Sequence, residues 1–502
     1  MRGTVKRPVG AFVIEIEAGP IVGEVVDSAS NMAAYRGVPY AAPPLGDLRW
    51  VEPQPVVPWD EPRVCTEFGP ACPQSEGFFS DVLIQERPRT SEDCLYLNVW
   101  CREQGSQCPV MVWIHGGGFE NGWGHQRNFD GAALASKGVV VVTINYRLGI
   151  FGFFAHPLLS SESKSGVSGN YGLLDQIAAL TWVRNNISAF GGDPDCVTIF
   201  GESAGAMSVN LLRVSPLAQG LFHRAISQSA PGGTDVGPPL KMLETVGERF
   251  AEKMLTESGD DDMAKLRAFD APSLLDETVN EIPMEEVVSA GAQVSAFSFG
   301  PVMDEWVLTE RRESHDVPVI LGINAEEGGY WAAMEGLSFV LESVENYEAF
   351  VRWRAGDSGD SLLEIYPAES NEDIRAAFTD YFTDTTFAKS TRDVAAALHN
   401  INSNGYLYCF SRRNPKVPID AAYHSIEIAY VFNNLPEDDD AEDQRLAELI
   451  SSLWVQFAKT GDPNGPSLPA WPAYDTASDE YIDFDTTISF RSGLRKPTCD
   501  LL

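Results

Sequence analysis

Through the middle of the chain, short unbroken apolar runs alternate with stretches in which apolar positions recur every three or four residues. Val110-Met111-Val112-Trp113-Ile114 and Val139-Val140-Val141-Val142-Thr143-Ile144 have strand length, are rich in β-branched residues and are bounded by glycine or polar turns. Such runs suit strands buried on both faces of a sheet. From Asp175 to Ile187 the spacing of Ile177, Leu180, Trp182 and Val183 predicts a helix, which Gly191-Gly192-Asp193-Pro194 breaks. A strand over Cys196-Val197-Thr198-Ile199-Phe200 follows, then Gly201-Glu202-Ser203-Ala204-Gly205, then a helical stretch through Leu211 and Leu212. Further strands are predicted from Val317 to Ile323 and from Tyr406 to Phe410. A helix runs from Ala441 to Thr460, stopped by Gly461 and Pro463. Strands alternating with helices predict an α/β layer architecture around a largely parallel sheet.

Composition narrows the class. Of 502 residues 44% are hydrophobic and 10% aromatic, ample for a large core. No internal repeat, low-complexity tract or linker divides the chain, so residues 1–502 are expected to form one domain. The formal net charge of −36 disfavours nucleic acid and anionic membranes as partners. It leaves open simple solubility or adaptation to salt. No stretch reaches the roughly 18 apolar residues that a membrane span needs. The basic N-terminal residues are followed by Glu15 and Glu17 and by no small-residue cleavage site, which fits a cytoplasmic chain or one already processed. Of eight cysteines, Cys72 and Cys94 flank a polar loop and Cys101 and Cys108 flank an expected hairpin turn, so either pair could form a disulfide; Cys409 reads as a buried thiol.

The chemistry centres on Ser203. A G-x-S-x-G pentapeptide alone also fits a glycine-rich turn with a capping serine. Between a strand and a helix, however, its glycines permit the sharp turn that presents a serine Oγ above a sheet. Upstream, His115-Gly116-Gly117-Gly118-Phe119 follows directly on the strand ending at Ile114. Glycines there let backbone N–H groups approach a tetrahedral oxyanion, with Gly116, Gly117 and Ala204 as the expected donors. His115 itself reads as a structural residue of this loop.

The order serine, acid, histidine that goes with such a turn selects the base. Of seven histidines, His115, His125 and His156 precede Ser203, and His223 follows it too closely. His315 and His399 lie at the wrong ends of their strands, which leaves His424, in the loop beyond a late strand. The acid should follow the Val317–Ile323 strand, where Glu326 and Glu327 stand side by side; the residues alone do not choose between them.

The chain as a whole resembles a type-B carboxylesterase, the family that also holds cholinesterases and bile-salt-activated lipases. The likeness runs through Tyr35-Arg36-Gly37-Val38-Pro39-Tyr40-Ala41, Ser91-Glu92-Asp93-Cys94-Leu95-Tyr96-Leu97-Asn98-Val99 and Asn145-Tyr146-Arg147-Leu148-Gly149. It continues through Gly169-Asn170-Tyr171-Gly172-Leu173-Leu174-Asp175-Gln176, Phe190-Gly191-Gly192-Asp193-Pro194, Thr198 to Gly205, and Phe457-Ala458-Lys459-Thr460-Gly461. The resemblance implies an α/β-hydrolase fold with helical insertions around an active-site gorge, and a serine esterase working through an acyl-enzyme. It implies Glu327 as the acid, although Glu326 stands where aspartate is usual, and supports His424, although Ser425 replaces the usual glycine. It further implies a Cys72–Cys94 disulfide and makes Glu202 a buried carboxylate beside the nucleophile. No metal or organic cofactor is called for.

Three other readings compete. A non-catalytic interaction module of the same fold would be expected to lose triad residues, and none is lost here. A cholinesterase would carry a tryptophan between Cys72 and Cys94, where this chain has Phe78 and Phe79. A lipase for longer acyl chains is the alternative within the enzymes. Phe119, Trp123, Phe151 and Trp331 are candidate pocket walls or plain core aromatics.

Overall fold

The computed structural model describes residues 12–27, 31–75, 87–102, 107–233, 237–255, 263–278, 299–310, 315–334, 337–401 and 403–502; Phe78 and Phe79 lie outside them. The strands are β1 (Phe12–Ile16), β2 (Gly19–Asp27), β3 (Met32–Pro39), β4 (Arg63–Val64), β5 (Tyr96–Arg102), β6 (Cys108–Ile114) and β7 (Val140–Ile144). They continue as β8 (Gly192–Glu202), β9 (Arg224–Gln228), β10 (Val319–Asn324), β11 (Gly405–Phe410), β12 (Glu480–Phe484) and β13 (Ser489–Ser492). Their order in the sheet is β1-β2-β3-β5-β7-β6-β8-β9-β10-β11-β12-β13, with β4 beside β2. From β7 to β12 every pairing is parallel; the outer pairs are antiparallel except that β4 runs parallel to β2. This is the expected α/β-hydrolase architecture.

The apolar runs are continuous because both faces of the sheet are covered. In β6, Val110, Val112 and Ile114 join one core while Met111 and Trp113 join the other, as the two-residue strand period dictates. The helix Tyr171–Asn186 packs into the first core through Leu173, Leu174, Ala179, Leu180 and Val183; it starts a turn before the expected Asp175. The helix Ala441–Thr460 covers the other face with Leu446, Ile450, Leu453, Trp454 and Phe457, a helical stripe. Asp440 caps it by accepting the N–H groups of Glu442 and Asp443, and Gly461 stops it at φ +79°.

One buried ion pair ties the loop after β7 to this framework. Arg147 donates to Asp175 through Nε (2.7 Å) and Nη2 (2.8 Å), and its backbone N–H donates to the same carboxylate at 3.0 Å. A third guanidinium bond reaches the carbonyl of Val51 at 2.9 Å. With the fork fully matched, burial of these charges is offset; with either partner removed it is not.

Two cysteine expectations are corrected. Cys101 and Cys108 do not flank a hairpin, because β7 lies between β5 and β6. Cys72 and Cys94 are buried neighbours but free thiols joined by a hydrogen bond, not a disulfide. That bond, burial and the nearby Asp175 all raise the Cys94 pKa.

Candidate active site

Ser203 stands at the tip of the turn between β8 and the helix Ala204–Val214, with φ +56° and ψ −124°. A non-glycine residue in this region costs about 1–3 kcal/mol, which surrounding contacts must offset. Two sets of contacts do so. Ser203 N–H donates to the carbonyl of Gln228 at 2.9 Å, tying the turn to the end of β9. Gly205 lies so close to the end of β6 that a Cβ there would sit 2.0 Å from the Ile114 carbonyl oxygen. The flanking glycines are therefore what lets the elbow close.

The glycine loop after β6 folds against the same turn. A Cβ on Gly116 would lie 2.7 Å from the Glu202 carbonyl oxygen and 3.0 Å from Ser203 Cβ. Gly117 has φ +106°, and its carbonyl accepts the N–H groups of Glu120 and Asn121. The backbone thus reaches Ser203 where side chains would block it. His115 is buried, stacks on Tyr146 with ring centroids 4.4 Å apart, and donates from Nδ1 to the Gly116 carbonyl at 2.8 Å. Burial lowers its pKa to about 4, so it stays neutral and buttresses the loop.

His424 lies beyond the end of β11, and Glu327 opens a short turn after β10. These strands are parallel neighbours in register from Val319 with Gly405 to Asn324 with Phe410, so the two loops meet above the sheet. His424 Nδ1 lies 2.7 Å from Glu327 Oε2, and both side chains are buried. The other oxygen of Glu327 accepts the Asn324 N–H at 2.7 Å. Glu326 points outward instead, to Arg413 and to the Ala422 N–H. Geometry thus separates the two glutamates that composition left equivalent.

The opposite ring nitrogen, Nε2, lies 3.0 Å from Glu202 Oε1. Among the described residues no hydrogen bond joins Ser203 Oγ to His424; the elbow meets the imidazole through Glu202, the residue before Ser203. Burial works against a charge on His424, but the facing carboxylates of Glu202 and Glu327 outweigh it and raise its pKa to about 9. Burial likewise raises the Glu202 pKa, against the opposing pull of His424.

The resemblance placed Glu427 and Ser425 beside His424 without assigning their contacts, and Gln228, Asn324 and Trp454 escaped sequence reasoning. Glu427, buried, accepts from Gln228 Nε2 at 2.9 Å and Asn324 Nδ2 at 2.6 Å. Trp454 Nε1 donates to Gln228 at 3.1 Å, fixing that amide. Ser425 Oγ donates to Glu202 Oε1 at 2.6 Å. Only a local signal hints at Gln228 and Asn324: each is the polar residue that ends an otherwise buried strand. Of the four candidate aromatics, Trp331 meets the imidazole, with centroids 4.9 Å apart, as does Phe387, which was not foreseen. Phe119 packs on Phe153, Trp123 lines a separate cavity beside His125, and Phe151 lies near Arg49.

The model of the carboxylesterase family matches residues 10–502. The chain belongs to the carboxylesterase family. Among its relatives, the fumonisin B1 esterase of Sphingopyxis macrogoltabida is 38% identical over 94% of this chain and 87% of its own length. The para-nitrobenzyl esterase of Bacillus subtilis (strain 168) is 34% identical over 94% and 95%. The liver carboxylesterase of Sus scrofa is 34% identical over 93% and 88%. This carboxylesterase is therefore a carboxylic-ester hydrolase. Among its described residues no helix is long and apolar enough to cross a membrane.

Proposed function

We propose that this carboxylesterase cleaves small-molecule esters through Ser203, His424 and Glu327, with Gly116, Gly117 and Ala204 as oxyanion donors, and that the chain works as one domain. The observation that carries the reading is the buried Glu327–His424 bond at 2.7 Å beside an elbow that holds Ser203 at φ +56°. Once its Nε2 proton has passed to solvent, the neutral His424 imidazole turns Nε2 from Glu202 and accepts the Ser203 proton as Oγ attacks the ester carbonyl. The oxyanion is held by the loop and elbow N–H groups. The alcohol departs with the proton from His424. Water, deprotonated by the same nitrogen, then cleaves the acyl-enzyme and releases the acid.

Trp331 and Phe387 flank the imidazole and are the walls that a substrate meets beside the base. With these walls the expected substrates are short- to medium-chain or bulky small-molecule esters. A panel of p-nitrophenyl esters from acetate to palmitate, with emulsified triglycerides alongside, tests this. Highest kcat/KM at butyrate to octanoate is expected; preference for palmitate and triglyceride emulsions would make the enzyme a lipase instead.

A further inference from the structure

Ser425 holds a backbone angle of φ +74°, a conformation that suits glycine and strains any residue with a Cβ. What this serine gains there is a single bond, from its Oγ to Glu202 Oε1 at 2.6 Å. The same oxygen lies 3.0 Å from Nε2 of His424, the residue before it in the chain. One carboxylate oxygen thus links Ser425 to the nitrogen that must become free to serve Ser203.

We propose that Ser425 is a positioning residue that holds the Glu202 carboxylate against His424 Nε2 and so sets the pH at which the base is released. The inference rests on the triad reading above. Ser425 acts only through Glu202, since its hydroxyl donates to that carboxylate.

The sign follows from the groups around the carboxylate. Burial raises the pKa of Glu202, and the Ser425 hydrogen bond opposes that by favouring the ionised form. Glu427 and Glu327 face it as further acids, His424 as the base, and the phenols of Tyr330 and Tyr408 feel its charge. The Glu202 charge in turn favours the protonated imidazole. Without the Ser425 hydroxyl, Glu202 keeps its proton to higher pH and holds the imidazolium less. The neutral base then appears at lower pH.

The test is the pH profile of kcat/KM on p-nitrophenyl butyrate for the wild type, Ser425→Gly, Ser425→Ala, Glu202→Gln and the corresponding double variants. Ser425→Gly removes the hydroxyl while relieving the backbone, so it folds at least as well as the wild type; Ser425→Ala removes it and keeps the strain. In both single Ser425 variants the acid limb should move down by about half a pH unit, the part passed on to His424 of the roughly one to two units that a hydrogen bond to a charged group is worth at Glu202 itself. In the Glu202→Gln background neither substitution should move it further. An unchanged limb in Ser425→Gly, a shift confined to Ser425→Ala, or a shift that persists beside Glu202→Gln would overturn the proposal. Ser203→Ala is run alongside. If it is inactive while the Ser425 limbs stay put, this inference alone fails; if it hydrolyses as fast as the wild type, the triad reading fails and takes the inference with it.

Discussion

Replacing Glu327 by glutamine exchanges one carboxylate oxygen for an NH2 group and should remove most of the activity. Glu327 Oε1 accepts the Asn324 N–H at 2.7 Å, so the amide oxygen of the glutamine is kept there. Its NH2 group then faces His424 Nδ1 at the site of the present 2.7 Å bond. A donor there favours the tautomer with Nδ1 bare and the proton on Nε2, the nitrogen that must accept from Ser203. An acid-to-amide change of this kind in a Ser-His-acid triad costs about 10⁴-fold in kcat, or roughly 5.5 kcal/mol of transition-state stabilisation. Glu326→Gln is the control, because its partner Arg413 is half exposed and such pairs contribute about 1 kcal/mol or less. Less than about a fivefold change in kcat/KM is expected there. Steady-state hydrolysis of p-nitrophenyl butyrate by both variants, with circular dichroism to confirm folding, decides the matter. A Glu327→Gln enzyme with more than a tenth of wild-type kcat, or a Glu326→Gln enzyme with the larger loss, would refute the reasoning.

Because the pKa of His424 is raised to about 9 and the neutral imidazole is the working form, kcat/KM should climb between pH 7 and 9, by up to roughly tenfold per unit; a plateau reached by pH 7 would contradict this. Asp175→Asn leaves Arg147 buried without its counter-charge and should lower the unfolding free energy in urea by about 3–5 kcal/mol. Protein purified without reductant should release eight reactive thiols on denaturation, since all eight cysteines are free; six would indicate that one pair had joined.

The elements at the centre of the fold were legible because their signals are local. The run from Val110 to Ile114 could only be a strand covered on both faces, and the helix from Ala441 to Thr460 announces its ends with Asp440 and Gly461. The sharp turn at Ser203 was legible for the same reason, since such an elbow needs its glycines within two residues. Glu327 could not be told from Glu326 by the residues themselves: the two differ in where a short turn points them, and their partners lie 97 and 87 residues further along the chain. Ser425, Gln228 and Glu427 carry no periodic signal at all. They matter because three strand ends meet at one point, which a linear pattern does not express. The Cys101–Cys108 hairpin failed for a related reason, as strand order is set by the whole sheet and places β7 between the two.

The central claim is that Ser203 becomes acylated. It is tested most directly by treating the native enzyme with a fluorophosphonate and locating the adduct by peptide mass spectrometry. A single adduct on Ser203, absent from Ser203→Ala, which should also lose p-nitrophenyl butyrate hydrolysis, is the predicted result. An adduct on another residue, or wild-type hydrolysis by Ser203→Ala, would contradict it.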